Sequence, residues 1–395
     1  MLSGEARYAV TRGGSIHCRC AFIVSVWVLA ACGPAVPALA ADVEANVVGE
    51  NSEPRTVLRA PRPIGEYAVG RGHVVWRSTW RRSARVGDRI HAAIVAEHLR
   101  TRKRIRIARL STNPSFGWYA DLALLGLSDG RILWQELVYD RWGVEDSYLR
   151  LVRIAGGRSK VIRSTLNDRW ILDGDRAPFL AGALYGRMLN PGECLDESDE
   201  PTATCRWVPA GEVFRLEGER YRALGALPPS LALSASRGRI ALVPADPQET
   251  SGSGFWPRPF PAVELRSYED GRLLHTIPLT GTPRAITLSP QVLAVLLEEG
   301  GALRLERFRP DGTFLGATSL PPQTAARLES DRRWIVAHAG GRILAVNSDT
   351  GALTTLATRP YPPVGLQARE GRVYWAVNGG GRGRIKSLPL PSSLK

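Results

Sequence analysis

Metal binding, nucleophilic attack and acid–base transfer each need particular side chains at particular spacings, and this chain offers few of them. Its six histidines, His17, His73, His91, His98, His275 and His338, stand singly, without the H-E-x-x-H spacing of a zinc helix. They read as core or surface histidines. The acidic run around Glu193, Asp196, Glu197, Asp199 and Glu200 could surround a calcium ion, yet it follows no EF-hand or glycine-aspartate calcium repeat. Gly252-Ser253-Gly254 lacks the G-x-S-x-G order of a nucleophile elbow. Gly379-Gly380-Gly381 resembles a phosphate loop, but no helical segment follows to point its amides at an anion. The sequence therefore names no catalytic residue, no metal ligand and no cofactor.

What it offers instead is aromatic and charged side chains in stretches that look like long loops, at 77–89, 111–121, 140–147 and 244–261. From these we take Trp80, Arg82, Trp118, Asp121, Arg141, Trp142, Trp256 and Arg258 as candidate ligand-binding residues. Aromatics interleaved with both charge signs suit the recognition of a polar ligand or a partner. The alternative is that they cap the core beneath the loops. Eleven cations fall between Arg77 and Arg109, and Arg104 and Arg106 alternate with Ile105 and Ile107, so one side of that strand is polar. Positive charge on an edge strand protects it against pairing with other chains. It could also contact acidic envelope polymers or phospholipid headgroups.

The net charge is +14, from 52 basic and 38 acidic side chains. Only Lys103, Lys160, Lys386 and Lys395 are lysines, and an arginine skew of this kind follows from GC-rich codons. With 40 Gly and 28 Pro in 395 residues, the chain is richer in turn formers than average but not of low complexity. Arg7, Arg12 and Arg19 precede an apolar run, Ala21 to Ala31, too short for a bilayer-spanning helix and suited to a signal peptide. Ala38-Leu39-Ala40 would place the cut before Ala41, whereas Leu29-Ala30-Ala31-Cys32 resembles a lipobox that would lipidate Cys32. Both remain open. Outside this segment only Cys194 and Cys205 occur, and two cysteines this close in an exported chain suggest one disulfide. Such a loop would contribute roughly 2–3 kcal/mol. Export also argues against nucleic acid as a partner.

The elements that must position these residues are short β-rich runs separated by Gly, Asp and Pro turns, with no long helical stripe after Gly65. A tight turn followed by an apolar strand recurs at Gly70 to Trp76, Asp129 to Trp134, Asn167 to Leu172, Arg237 to Leu242, Asp331 to Val336 and Glu370 to Trp375, with a weaker copy at Ser289 to Ala294. Outer hairpin turns follow at Asp270-Gly271, Asp311-Gly312 and Asp349-Thr350-Gly351. Two hairpins per repeat give four strands, the pattern of a propeller blade. The last repeat supplies three strands, and Thr56-Val57-Leu58-Arg59 stands ready to be its fourth. The expected fold is all-β, a single seven-bladed propeller of four-stranded blades closed by an N-terminal strand. Residues 1–40 would be the signal segment, 41–54 a linker, 55–391 the propeller and 392–395 a tail.

The run Gly371 to Ala376, with the hairpin from Val346 to Leu353, resembles exported bacterial β-propellers of the TolB-like and lactonase-like superfamily. The resemblance spans Arg55 to Pro391 and is architectural, without a family catalytic pattern. It implies an exported protein, secreted, periplasmic or lipid-anchored. Our expectation is a monomeric, non-catalytic binder of a protein partner or envelope polymer through its loop-rich face, touching membrane only through a lipid at Cys32. A lactonase-like or lyase-like enzyme at the axial mouth is the alternative, and several carboxylates converging there would favour it.

Overall fold

The computed structural model describes residues 53–391 apart from 85–86, 114–118, 129, 141–142, 156–157, 167–169, 174–179, 189–205, 218–219, 225–226, 237, 249, 252–257, 323–326 and 359–362. The signal segment, Cys32, Cys194, Cys205 and the tail lie outside the described residues.

No helix occurs among the described residues, and their strands form six four-stranded antiparallel sheets and one of five strands. Strand β1 (Arg55–Ala60) precedes the first sheet, which holds β2 (Glu66–Gly70), β3 (His73–Ala84), β4 (Gly87–His98) and β5 (Arg104–Thr112). The second holds β6 (Tyr119–Ser128), β7 (Arg131–Asp140), β8 (Gly143–Arg153) and β9 (Lys160–Leu166). In the third are β10 (Trp170–Asp173), β11 (Leu180–Met188), β12 (Arg206–Glu217) and β13 (Arg220–Ala223). The fourth is built from β14 (Ser230–Ser236), β15 (Arg239–Pro244), β17 (Ala262–Ser267) and β18 (Leu273–Pro278). Between β15 and β17, the short β16 (Thr250–Ser251) leaves this sheet and pairs with β12 of the third. Strands β19 (Thr282–Leu288), β20 (Leu293–Glu299), β21 (Ala302–Phe308) and β22 (Phe314–Leu320) make the fifth. The sixth has β23 (Arg327–Asp331), β24 (Trp334–Ala339), β25 (Arg342–Asn347) and β26 (Leu353–Thr358). The seventh runs β27 (Leu366–Arg369), β28 (Arg372–Gly379), β29 (Arg382–Pro389) and then β1.

The turns explain why these strands fold back where they do. Arg71 and Gly72 have φ of 45° and 71°, and Glu370 and Gly371 have 52° and 73°, the paired positive φ of a two-residue hairpin turn whose twist matches its strands. Gly380 and Gly381, at 56° and 71°, make the same turn between β28 and β29. The glycine triplet at 379–381 is thus a hairpin tip and not a phosphate loop.

Period-two alternation sends side chains to both faces of each sheet, so each seam between sheets fills from two sides. On β28, Val373 and Trp375 pack with Val336 and Ile343 of the sixth sheet, while Tyr374 and Ala376 join Val74 and Trp76 of the first. Val75 and Ile94 of the first sheet meet Leu122 and Trp134 of the second. The leading strands contact one another in sequence, β2 with β6, β6 with β10, β10 with β14, β14 with β19, β19 with β23 and β23 with β27; β27 also contacts β2.

That last contact joins the two ends of the chain. Strand β1 pairs antiparallel with β29, from Arg55↔Ser387 to Ala60↔Gly383, and buries Leu58 and Ala60. A side chain at Gly383 would come within 2.6 Å of Ile64, so the crossing there requires glycine. On the outer edge of β1, Arg102 Nη1 donates to the Val57 carbonyl at 2.6 Å and Arg104 Nη2 to that of Arg59 at 3.1 Å. Both guanidiniums also reach the Glu97 carboxylate, at 3.1 and 2.5 Å, and the Glu97 side chain is 3% exposed. Because the two arginines are half-exposed, removing this charge should cost less than breaking a fully buried pair. Glu97→Gln is expected to lower unfolding stability by about 1–2 kcal/mol, read from the urea midpoint at constant slope. An unchanged midpoint would show that the clasp contributes nothing.

Candidate functional site

The first sheet departs from an even blade. Strand β2 pairs with β3 only from Glu66↔Arg77 to Gly70↔His73, whereas β3 continues beside β4 to Ala84↔Gly87. The stretch 77–89 is therefore a strand hairpin projecting past the inner strand, where the sequence suggests a loop. Its alternating side chains keep the pairing register. Likewise β7 and β8 pair as far as Asp140↔Gly143, and Tyr119 to Asp121 belong to β6. The 244–261 stretch is fastened by an Ala245↔Pro259 bridge and by β16, whose Thr250 pairs with Trp207 of the third sheet.

Alternation gives the projecting hairpin two chemically different sides. On the side facing the second sheet, Arg77 forms an ion pair with Asp121 through Nη2 and lies 3.6 Å from Glu66. The Glu66 carboxylate accepts the Leu124 amide at 2.7 Å, and Asp121 accepts that of Leu122 at 2.7 Å. Gly65 leaves room for this arrangement, since a Cβ there would sit 2.9 Å from Arg77 Nη1. Burial pushes the Glu66 carboxyl upward from its ordinary pKa, against the pull of Arg77. Burial opposes the Arg77 charge, and Glu66 and Asp121 more than offset it. Nearby, Tyr119 stacks on Tyr139 with ring centroids 4.5 Å apart. One guanidinium thus engages both carboxylates, tying the first sheet to the second.

On the opposite side, Trp80 and His91 stand directly across the β3–β4 ladder and stack at 5.3 Å between centroids. The Arg62 guanidinium lies 5.7 Å from the centre of the Trp80 ring. His91 is 8% exposed, and its Nδ1 is buried without a hydrogen-bond partner. Burial lowers its pKa, helped by the positive charges of Arg109, Arg82 and Arg89. Arg62, Arg82, Arg89 and Arg109 are all exposed, and no ion pair of theirs with a carboxylate is present among the described residues. This side is aromatic and uniformly cationic.

The candidate residues are accordingly divided. Trp80 and Arg82 share the cationic side, while Asp121 lies on the other side of the hairpin and is engaged by Arg77. Arg258 is exposed, and its carbonyl accepts the Asp246 amide at 2.7 Å. Trp118, Arg141, Trp142 and Trp256 lie outside the described residues. Glu66, Arg62 and His91 are site residues that the sequence does not single out. The opposition of Glu66 to Arg77 across the Arg71-Gly72 turn was the available signal for the first. No cluster of His, Cys, Asp and Glu among the described residues is placed to hold a metal ion.

No protein-family model matches the sequence, and no curated protein matches it. Solved structures do resemble the fold. The β-propeller domain of the Trilobed protease from Pyrococcus furiosus aligns with a TM-score of 0.50 at 11% identity, over 84% of this chain and 96% of that one. Pyrococcus horikoshii acylaminoacyl peptidase gives 0.52 at 12% identity, over 85% of this chain and about half, 53%, of the peptidase. A chain of the Mitotic Checkpoint Complex gives 0.50 at 11% identity, over 93% and 99%. At such identities the likeness establishes a β-propeller fold and nothing about activity.

The Glu66–Arg77–Asp121 tie makes a pH-dependent expectation. In Arg77→Met, two carboxylates would be left without their cation, and the Glu66 carboxyl, which burial already pushes upward, would lose the opposing pull of Arg77. Raised folded-state pKa values reduce stability as pH rises through the carboxylate range, so the loss should be full at pH 7 and shrink toward pH 4, as the acids protonate. We expect about 2 kcal/mol at pH 7, discounted for the partial exposure of Glu66. Denaturant melts at both pH values test this, and an equal loss at each would show that charge neutralisation is not what Arg77 does.

Proposed function

We propose that the chain is a non-catalytic, seven-bladed β-propeller, closed by β1, which binds a protein partner or an envelope polymer through the face bearing the β3–β4 hairpin. The observation that carries this reading is the Trp80–His91 stack with Arg62 above it and Arg82, Arg89 and Arg109 around it. Tryptophan and arginine are the residues on which interface energy concentrates, and a one-sign surface favours an acidic counterpart. The cyclic order of sheet contacts and the β1–β29 pairing support the seven-bladed, closed reading. The location remains part of the proposal: export, with cleavage before Ala41 or lipidation of Cys32, a Cys194–Cys205 disulfide and a monomeric state. Intact mass of the mature chain separates the two processing routes.

The enzyme alternative has one observation in its favour, the upward-shifted carboxyl of Glu66, a property useful in a general acid. Against it, Glu66 and Asp121 meet at a guanidinium and backbone amides, which leaves no unengaged pair of carboxylates at that place. We take Trp142 and Trp256, from the sequence alone, as further anchors of the proposed face.

A photo-crosslinker in place of Arg82 should capture a partner that one at Phe314 does not. With that partner, Trp80→Ala, Trp142→Ala and Trp256→Ala should each weaken affinity by about 2 kcal/mol with little change in Tm. A fall in Tm with affinity intact would instead identify these aromatics as caps on the core.

A further inference from the structure

A second basic surface runs along the outermost strands and meets the hairpin face at Arg109 of β5. In the seventh, first, second and third sheets these are β1, β5, β9 and β13, with sequences RTVLRA, RIRIARLST, KVIRSTL and RYRA. Every one carries two or three cations and no carboxylate. In the fourth, fifth and sixth sheets they are β18, β22 and β26, LLHTIP, FLGATSL and LTTLAT, without a single Lys, Arg, Asp or Glu. Sheet contacts place the four basic edges consecutively, and the three uncharged edges consecutively after them.

Two simpler explanations fail on this distribution. Edge protection is needed equally by all seven sheets, yet β18 manages without charge while exposing Leu273 and Leu274. A general surplus of arginine would not stop at three edges either, because the inner strands of those same sheets carry Arg266, Arg304 and Arg342. Arg55, Arg59, Arg106 and Arg109 are exposed. Where the seventh sheet meets the first, an open cavity of about 330 Å³ is lined by Val57, Arg59, Glu97, Arg102 and Arg104 among others; Glu97 already engages Arg102 and Arg104, and Arg59 is the lining cation outside that tie.

We propose that this basic arc is a docking surface for an extended polymer bearing phosphate or carboxylate groups along its length. Packed sheets lie about 10 Å apart, so four successive edges offer at least about 30 Å of contour. A flexible polyanion can follow that arc and release counterions at each contact. A planar bilayer would meet fewer of the edges at once. The proposal stands independently of the hairpin face, since Arg55, Arg59 and Arg106 take no part in the Trp80–His91 cluster.

Long-chain inorganic polyphosphate is the probe, titrated against the full chain at several salt concentrations. The triple variant Arg55→Gln, Arg59→Gln, Arg106→Gln should weaken binding at least about tenfold at low salt and reduce the salt slope by about 2–3. The equal-charge control Arg309→Gln, Arg333→Gln, Arg342→Gln, on the fifth and sixth sheets, should bind within about twofold of the unsubstituted chain, and both variants should keep its Tm. An equal loss in the control would overturn the proposal in favour of net charge alone. Tripolyphosphate binding as tightly per phosphate would overturn the extended arc. Tighter, triple-variant-sensitive binding to vesicles of anionic phospholipid would assign the surface to a membrane instead.

Discussion

A sheet whose outer strand is missing presents a row of unpaired backbone donors and acceptors, and the seventh sheet would be in that state without β1. The pairing of β1 with β29 is the constraint on which the rest of the molecule depends, because it joins residues more than 300 positions apart and fixes the seam between the seventh and first sheets. The connector from β1 to β2 is held there by reciprocal hydrogen bonds, Ile64 N to Asn378 Oδ1 at 2.9 Å and Asn378 Nδ2 to the Ile64 carbonyl at 2.8 Å. Arg62 sits in that connector. The pairing of β1 with β29 therefore also positions the cation that lies over Trp80.

Charge is used in opposite ways on the two sides of the first sheet. Toward the second sheet, Arg77 is spent on Glu66 and Asp121, a partly buried arrangement in which attraction offsets desolvation and ties two sheets together. Toward the seventh, Glu97 performs the same service for Arg102 and Arg104, which in turn hold the carbonyls of β1. Around Trp80, by contrast, Arg62, Arg82, Arg89 and Arg109 form no ion pair with a carboxylate among the described residues. The surplus collects around Trp80 and along the outer strands, where solvent screens it and an acidic ligand could replace the solvent.

Much of this was legible in the sequence because it is local. The Arg71-Gly72 and Glu370-Gly371 turns announce themselves by residue type, and the three strands of the last repeat, together with Thr56 to Arg59, point to the partner that β29 finds. What was not legible depends on pairing. Residues 78–84 look like a loop because Trp80, Arg81 and Arg82 have no apolar alternation, yet β4 supplies a partner at every position to Ala84. The engagement of Asp121 by Arg77 crosses from one sheet to another, and no spacing within either strand encodes it. The division of the rim into basic and uncharged arcs emerges only once the fourth strand of every sheet is known. Trp118, Arg141, Trp142 and Trp256 lie beyond the described residues, so their part in the binding face belongs to the proposal alone.

The β1–β29 joint, with Leu58 and Ala60 buried beneath it, is an integral part of the folded core. Native-state amide hydrogen exchange under increasing denaturant measures this most directly, since it assigns an opening free energy to each strand. The paired amides of β1 and β29 should exchange only with the global unfolding of the inner strands, at the same free energy and with the same denaturant slope. Exchange of β1 through a low-energy local opening, while β28 and the leading strands stay protected, would contradict the account and make the N-terminal strand a detachable addition.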